Sequence, residues 1–135
     1  MSSTGLQRGY DHIIQEVCRK NLPVTFCLDR AGFVGEDGPT HQGAFDIAYL
    51  RAIPNITIFA PKDEAELQQG LATALDHGAP FAIRYPRGAG VGATLEKEPE
   101  PLAVGVAEYL ARADGGIAVI ALGNCVVASL KAALT

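Results

Sequence analysis

The side chains best suited to chemistry lie in a glycine-rich stretch, residues 30–44. Within it, Asp37 and His41 place a carboxylate four positions before an imidazole. A carboxylate beside an imidazole can fix the tautomer of the ring and raise its pKa, which suits a proton donor near neutral pH. The spacing also fits a structural interpretation, in which Asp37 holds a turn through Gly38-Pro39 and His41 is merely exposed. Both interpretations remain open on these residues alone.

Two arginines form a second candidate group. Arg30 follows a predicted buried strand, and Arg84 closes another one. Because ligands bind at the carboxyl ends of the strands in open α/β sheets, both guanidinium groups should emerge at a ligand-binding edge. A pair of arginines there suits a phosphate or a carboxylate, although two solvated arginines at strand ends would have the same spacing. Arg87 is a third and weaker candidate.

The elements that must position these residues alternate between strands and helices. Apolar runs predict strands at residues 24–28, 56–60 and 80–85, and apolar stripes with helical spacing predict helices at 6–21, 45–53 and 63–78. Asp63 and Glu66 have the spacing of a capping box, and Gly78 is typical of a helix C-terminus. The apolar face of this third helix is expected to comprise Leu67, Leu71, Ala74 and Leu75. The alternation predicts an α/β fold with a mainly parallel sheet flanked by helices.

The composition changes after residue 87. Residues 88–102 combine glycine, proline and charge, and predict a linker that is longer than most loops within a compact domain. Beyond it we expect two strands, at 105–111 and 117–122, and a final helix capped by Asn124. Because residues 103–135 are too few to bury a core of their own, they are interpreted as the truncated start of a second α/β domain.

Composition excludes several classes of protein. Of 135 residues, 48% are apolar and 19% are charged, which is typical of a globular chain. The formal net charge of −4 predicts no attraction to nucleic acid, and no apolar run is long enough to predict a membrane span. The three cysteines have no metal-ligand spacing and are expected to be buried in a reducing cytosol. Motifs for a phosphate loop, a dinucleotide site or a serine nucleophile are absent from the sequence.

Four segments carry a more specific signal when they are taken in order. They are L-Q-R-G-Y-D at residues 6–11, D-R-A-G at 29–32, D-G-P-T-H-Q-G-A-F-D at 37–46 and R-Y-P-R-G at 84–88. Together they resemble the 1-deoxy-D-xylulose-5-phosphate synthase family of transketolase-like, thiamine-diphosphate-dependent enzymes. The second and third segments are shared in looser form with transketolase and E1 β subunits, whereas the ordered set of four is more specific to the synthase family.

The resemblance implies a domain organisation and an activity. Residues 1–87 would be part of the pyrimidine-binding domain, 88–102 the linker, and 103–135 the truncated start of the C-terminal domain. The family condenses pyruvate with D-glyceraldehyde 3-phosphate, with loss of CO2, to 1-deoxy-D-xylulose 5-phosphate for isoprenoid, thiamine and pyridoxal biosynthesis. The resemblance further implies thiamine diphosphate and Mg2+ as cofactors of the full enzyme, a homodimer, and a location in the bacterial cytoplasm or the plastid stroma.

Carried over residue by residue, the resemblance assigns roles to the candidate residues. His41 and Asp37 would be catalytic, with His41 as the proton donor or acceptor. Arg30 and Arg84 would hold the phosphate of the acceptor aldehyde. No residue of this chain is expected to bind the metal.

The chain departs from the family pattern at two positions. Ser2 and Gly5 stand where the family has a tyrosine, expected near the acceptor phosphate, and an aromatic residue, expected to stack on the cofactor. The family's catalytic glutamate and its magnesium–diphosphate site lie upstream, so this chain is expected to be inactive without the rest of the synthase chain. Two alternatives stay open: another transketolase-like enzyme such as an E1 β subunit, and a catalytically inactive module that binds a small phosphate or a partner protein.

Overall fold

A three-stranded parallel sheet forms the centre of the fold. The computed structural model describes residues 1–112 and 116–134. The strands are β1 (Thr25–Leu28), β2 (Thr57–Phe59) and β3 (Phe81–Arg84), in the order β1-β3-β2. Both neighbours pair with β3 in parallel, and the first three residues of β3 are buried. An apolar strand covered on both faces is typical of a parallel sheet, and the predicted α/β fold class is confirmed.

The first predicted helix is not a regular α-helix. It consists of a 3-10 segment (Gly5–Gly9), one α-helical turn termed α1 (Tyr10–His12) and a π-helical segment (Ile13–Cys18). Glycines at both ends of the 3-10 segment disfavour regular α-helix there, because glycine is a poor helix former. The apolar stripe nevertheless faces the interior, since Leu6 and Ile13 are buried.

A short 3-10 helix (Gly35–Asp37) and three further α-helices follow, the latter termed α2 (Asp46–Leu50), α3 (Glu64–Asp76) and α4 (Cys125–Ala133). The predicted cap of α3 is present, because the Asp63 side chain accepts a hydrogen bond from the Glu66 backbone N–H at 2.8 Å. The predicted apolar face of α3 is half wrong: Leu71 and Leu75 are exposed, whereas Ala74 is buried. The buried residues of α3 are the small ones, Gly70, Thr73 and Ala74. Gly70 lies so close to the Phe59 ring that there is no room for a Cβ atom.

The core has two parts, one on each side of the sheet. The larger part lies beneath the N-terminal segment and α2, and comprises Leu6, Ile13, Cys18, Leu28, Leu50, Ile53 and Ala82. The smaller part lies beneath α3 and comprises Ala74, Phe81 and Ile83. Of the three cysteines, all of which were expected to be buried, only Cys18 is, while Cys27 and Cys125 are exposed.

The strands predicted at 105–111 and 117–122 are wrong. Both ranges are irregular and almost wholly exposed. Their apolar residues lack a neighbouring strand with which to pair within the described residues, and an isolated strand cannot satisfy its backbone groups. The final helix is present as α4, although the Asn124 side chain makes no capping hydrogen bond. The division into residues 1–87, 88–102 and 103–135 stays a prediction.

Candidate active site

The candidate residues sit at the carboxyl edge of the sheet. Leu28, the last residue of β1, lies in register with Arg84, the last residue of β3. Arg30 follows two positions after β1 with a positive φ of 58°, a conformation that is uncommon for a non-glycine residue. The two arginines therefore emerge from neighbouring strands at the same edge.

The loop between Arg30 and α2 is closed at its base. Gly32 and Gly43 exchange two backbone hydrogen bonds, each 2.8 Å long, and the Ala31 N–H donates to the Tyr85 carbonyl at 3.0 Å. A Cβ atom on Gly43 would overlap the Arg30 carbonyl oxygen and the Ser3 side chain. Only glycine permits this close approach, so the loop returns to the sheet beside Arg30.

A cavity of about 310 Å³ opens beside this loop. Its lining includes Ser2, Arg30, Asp37 and His41. Three of the four predicted site residues therefore meet at one cavity, and Ser2 lies at the position where the resemblance leads one to expect a tyrosine. Arg84 lies at the same sheet edge but is not part of this lining.

Asp37 is held between two arginines. Its Oδ2 accepts from the Arg30 Nε at 2.8 Å, and its Oδ1 lies 3.2 Å from the Arg87 Nη1. The hydrogen bond from Arg30 lowers the pKa of Asp37, and the charge of Arg87 adds to this effect. Arg30 also donates through Nη1 to Asp29 at 2.5 Å. Arg87, the weaker candidate in the sequence, thus joins the site through Asp37.

His41 is exposed and does not hydrogen bond to Asp37. Its Nδ1 lies 3.0 Å from the Thr40 hydroxyl oxygen, whereas both oxygens of Asp37 are engaged by arginines. Nearby, the Gln42 side chain accepts from the Val34 N–H and donates to the Gly38 carbonyl, both at 2.8 Å. Gln42 thereby braces the loop and leaves the imidazole of His41 accessible from the cavity.

Arg84 has a different environment. Its side chain is only 15% exposed and donates through Nε to Oδ2 of Asp46 at 2.9 Å. The terminal Nη1 and Nη2 groups make no hydrogen bond to the described residues. The same Oδ2 accepts from the Ser3 hydroxyl at 3.0 Å, and Oδ1 accepts from the Ile47 N–H at 2.8 Å.

Asp46 and Ser3 are site residues that the sequence analysis missed. Asp46 is 1% exposed, and a carboxylate is seldom buried without a charged partner. The available signal was its position in the first turn of a short helical pattern, where a negative charge is favoured. Nothing in the sequence pattern indicates that the partner would be Arg84, 38 positions later.

Residues 1–91 match the pyrimidine-binding domain of transketolase. The chain belongs to the transketolase pyrimidine-binding family. The chain is also similar to a solved structure, "Split gene transketolase, inactive beta4 tetramer", with a TM-score of 0.54 and 27% sequence identity. The match covers 62% of this chain and 26% of that one. The predicted family resemblance is thereby confirmed.

Curated relatives of this transketolase-type domain carry a more specific name. The chain is 59% identical over 131 residues to "1-deoxy-D-xylulose-5-phosphate synthase" of Nitratidesulfovibrio vulgaris (strain DP4). It is 60% identical over 131 residues to the protein of that name from Oleidesulfovibrio alaskensis. Each match covers 97% of this chain and 20% of the relative. The chain therefore spans about a fifth of the length of these relatives.

Proposed function

We propose that this transketolase-type domain works as part of a 1-deoxy-D-xylulose-5-phosphate synthase. In this proposal, the complete enzyme condenses pyruvate with D-glyceraldehyde 3-phosphate, releases CO2 and forms 1-deoxy-D-xylulose 5-phosphate. The name carried by relatives at 59% and 60% identity supports the assignment. The alternative of an E1 β subunit has no comparable support from these relatives.

One observation of the site carries the substrate assignment: the open end of Arg84. A guanidinium group that is 15% exposed and bound only through Nε has unmet hydrogen-bonding capacity at Nη1 and Nη2. The planar pair of Nη groups remains accessible and matches two phosphate oxygens. We assign Arg84 as the principal contact to the phosphate of the acceptor aldehyde.

Arg30 has a secondary part in this assignment. Its guanidinium group already donates to Asp37 and Asp29. It adds positive charge at the edge of the cavity, but fewer of its donors are open to a ligand. We therefore propose that Arg30 supports phosphate binding while Arg84 dominates it.

His41 is assigned the proton transfer. Its imidazole lines the cavity, and the two ring nitrogens of an imidazole can donate and accept a proton. Asp37 has a lowered pKa and stays ionised at neutral pH, which makes it an electrostatic partner rather than a proton donor.

The family also implies thiamine diphosphate and Mg2+. Among residues 1–112 and 116–134, no group of three or more His, Cys, Asp or Glu side chains could hold a metal ion. The residues described here therefore do not fit a magnesium–diphosphate site, and we assign that site to other parts of the complete enzyme.

We extend the proposal to a homodimer in the bacterial cytoplasm or the plastid stroma, as the family resemblance implies. No helix among the described residues is long and apolar enough to cross a membrane.

The test is the substitution Arg84→Ala in the complete enzyme. We expect the KM for glyceraldehyde 3-phosphate to rise by at least about tenfold, because charge-assisted hydrogen bonds contribute about 1.5–3 kcal/mol each. The KM for pyruvate should change by less than about twofold. Arg19→Ala serves as the control, because the guanidinium group of Arg19 is exposed and donates a hydrogen bond to Gln15, away from the site. Equal rises in both KM values would refute the phosphate role of Arg84.

A further inference from the structure

We propose that Asp46 is the residue that positions Arg84 for phosphate binding. The inference rests on the proposed function and deepens it, because it explains how the dominant arginine of the site distinguishes a phosphorylated aldehyde from an unphosphorylated one. Asp46 is 1% exposed and hydrogen bonds to Arg84, so its effect on a ligand passes through the guanidinium group.

The geometry around Asp46 fixes the carboxylate in one orientation. Its Oδ1 accepts from the Ile47 N–H at the start of α2, and its Oδ2 accepts from the Ser3 hydroxyl. Ser3 is itself anchored to the sheet edge, because its N–H donates to the Asp29 carbonyl at 2.8 Å. Both carboxylate oxygens of Asp46 are thus oriented by groups other than Arg84, namely a backbone N–H and a hydroxyl on an anchored residue.

The contact to Arg84 then determines which donors remain open. Asp46 engages Nε of Arg84 at 2.9 Å and leaves Nη1 and Nη2 without partners among the described residues. A bidentate pairing through both Nη groups would have used the donors that match a phosphate. Pairing through Nε instead holds the long Arg84 side chain in place and leaves Nη1 and Nη2 for the ligand.

The carboxylate also has an opposing effect, since its negative charge repels a phosphate. Removing it would strengthen binding if charge alone mattered. The structure favours the positioning effect, because Asp46 is 1% exposed and Arg84 is largely buried. Without its buried partner, the long Arg84 side chain can leave the site for solvent, and we expect this loss of positioning to outweigh the relief of the repulsion.

The experiment compares D-glyceraldehyde 3-phosphate with D-glyceraldehyde as acceptors for the complete enzyme. For Asp46→Ala we expect the ratio of the two kcat/KM values to fall about tenfold or more, mainly through the KM of the phosphorylated acceptor. Asp46→Asn should restore most of this preference, since its amide oxygen can still accept from Nε of Arg84. A merely structural role would lower kcat/KM for both acceptors by the same factor.

Two further variants separate the possible outcomes. Asp63→Ala removes another hydrogen-bonded aspartate, at the start of α3, and should leave the acceptor preference unchanged. Ser3→Ala removes the second donor to Oδ2 of Asp46 and should lower the preference for the phosphorylated acceptor about twofold to threefold. This variant tests the inference if Asp46→Ala does not fold. An unchanged or increased preference in folded Asp46→Ala, or an unchanged preference in Ser3→Ala, would overturn the inference.

The double variant Asp46→Ala/Arg84→Ala distinguishes this inference from the proposed function. If Asp46 acts through Arg84, the double variant should lose no more preference than Arg84→Ala alone. If Arg84→Ala keeps the full preference, the proposed phosphate role of Arg84 is wrong. If Arg84→Ala loses the preference and Asp46→Ala keeps it, only the positioning role of Asp46 is wrong.

Discussion

At the scale of single residues, the two arginines of the site differ in what they can offer a ligand. Arg30 is partly exposed and donates to two carboxylates, whereas Arg84 is largely buried and donates to one. Both stand at the carboxyl ends of predicted strands, which made them look equivalent in the sequence. Their partners come from distant positions, so the difference between them arises only in the folded chain.

The pKa of Asp37 provides a test of this residue network. Because the hydrogen bond from Arg30 is the largest cause of its lowered pKa, Asp37 should titrate below the ordinary value of 3.8. NMR titration of the carboxyl carbon would show the midpoint directly. Arg30→Gln should raise the midpoint, and Arg87→Gln should raise it by less, because the charge of Arg87 is a smaller cause.

The sign of the stability effect follows from the direction of that shift. A group whose pKa is depressed by folding stabilises the folded state above its unfolded pKa and loses that contribution as pH falls through the folded pKa. The contacts of Asp37 should therefore stabilise the loop fully above about pH 4 to 5 and fail in acid. An Asp37 midpoint that is unaffected by Arg30→Gln would show that the contact does not form in solution.

At the scale of elements, the site depends on the closure of residues 30–44 onto the sheet edge. Gly43 is the position where this closure is tightest, because a Cβ atom would overlap the backbone carbonyl oxygen of Arg30 as well as the Ser3 side chain. For Gly43→Ala we expect a loss of about 1–3 kcal/mol in the free energy of unfolding, typical of overpacking. Thermal denaturation would measure this as a drop of several degrees in Tm.

Gly9→Ala is the matched control for that substitution. Gly9 has open space around its Cα and a φ of −95°, so an added methyl group meets nothing within 4 Å. We expect an unchanged or slightly raised Tm, since alanine is the better helix former. Equal melting temperatures for Gly43→Ala and the unchanged chain would mean that the loop does not close against Arg30 and Ser3.

The elements also show what the sequence can predict and where prediction stops. The three strands and α3 were predictable because apolar runs and the Asp63 cap are local signals. The buried pair of Asp46 and Arg84 was not, because it depends on packing between segments far apart in sequence. A helix was predicted at the N-terminus, but its division into 3-10, α and π segments was not. Arg30, Asp37 and His41 could be selected from the sequence, but their hydrogen-bond partners could not.

At the scale of the whole molecule, the region after β3 follows the surface of α3. The Gly92 N–H donates to Glu64 at 2.8 Å, and the Leu102 N–H donates to the Thr73 hydroxyl at 2.7 Å. Between them, Gln68 exchanges two hydrogen bonds with the backbone of Glu96, at 2.6 and 3.1 Å. Residues 88–102, predicted as a linker, are thus attached to α3 at three points along its length.

This attachment has a consequence for proteolysis, because Lys97 is a trypsin site next to the central contact. Gln68→Ala removes both hydrogen bonds to Glu96, each contributing about 1 kcal/mol at most at an exposed position. We expect trypsin to cleave after Lys97 about fivefold faster or more in this variant, as a loss of that size implies. Gln69→Ala is the matched control. It is the same substitution at the next position of α3, and the Gln69 side chain makes no hydrogen bond among the described residues. If residues 88–102 are attached to α3 through Gln68, the two variants must be cleaved at different rates. Equal cleavage rates would show that these residues move independently of α3.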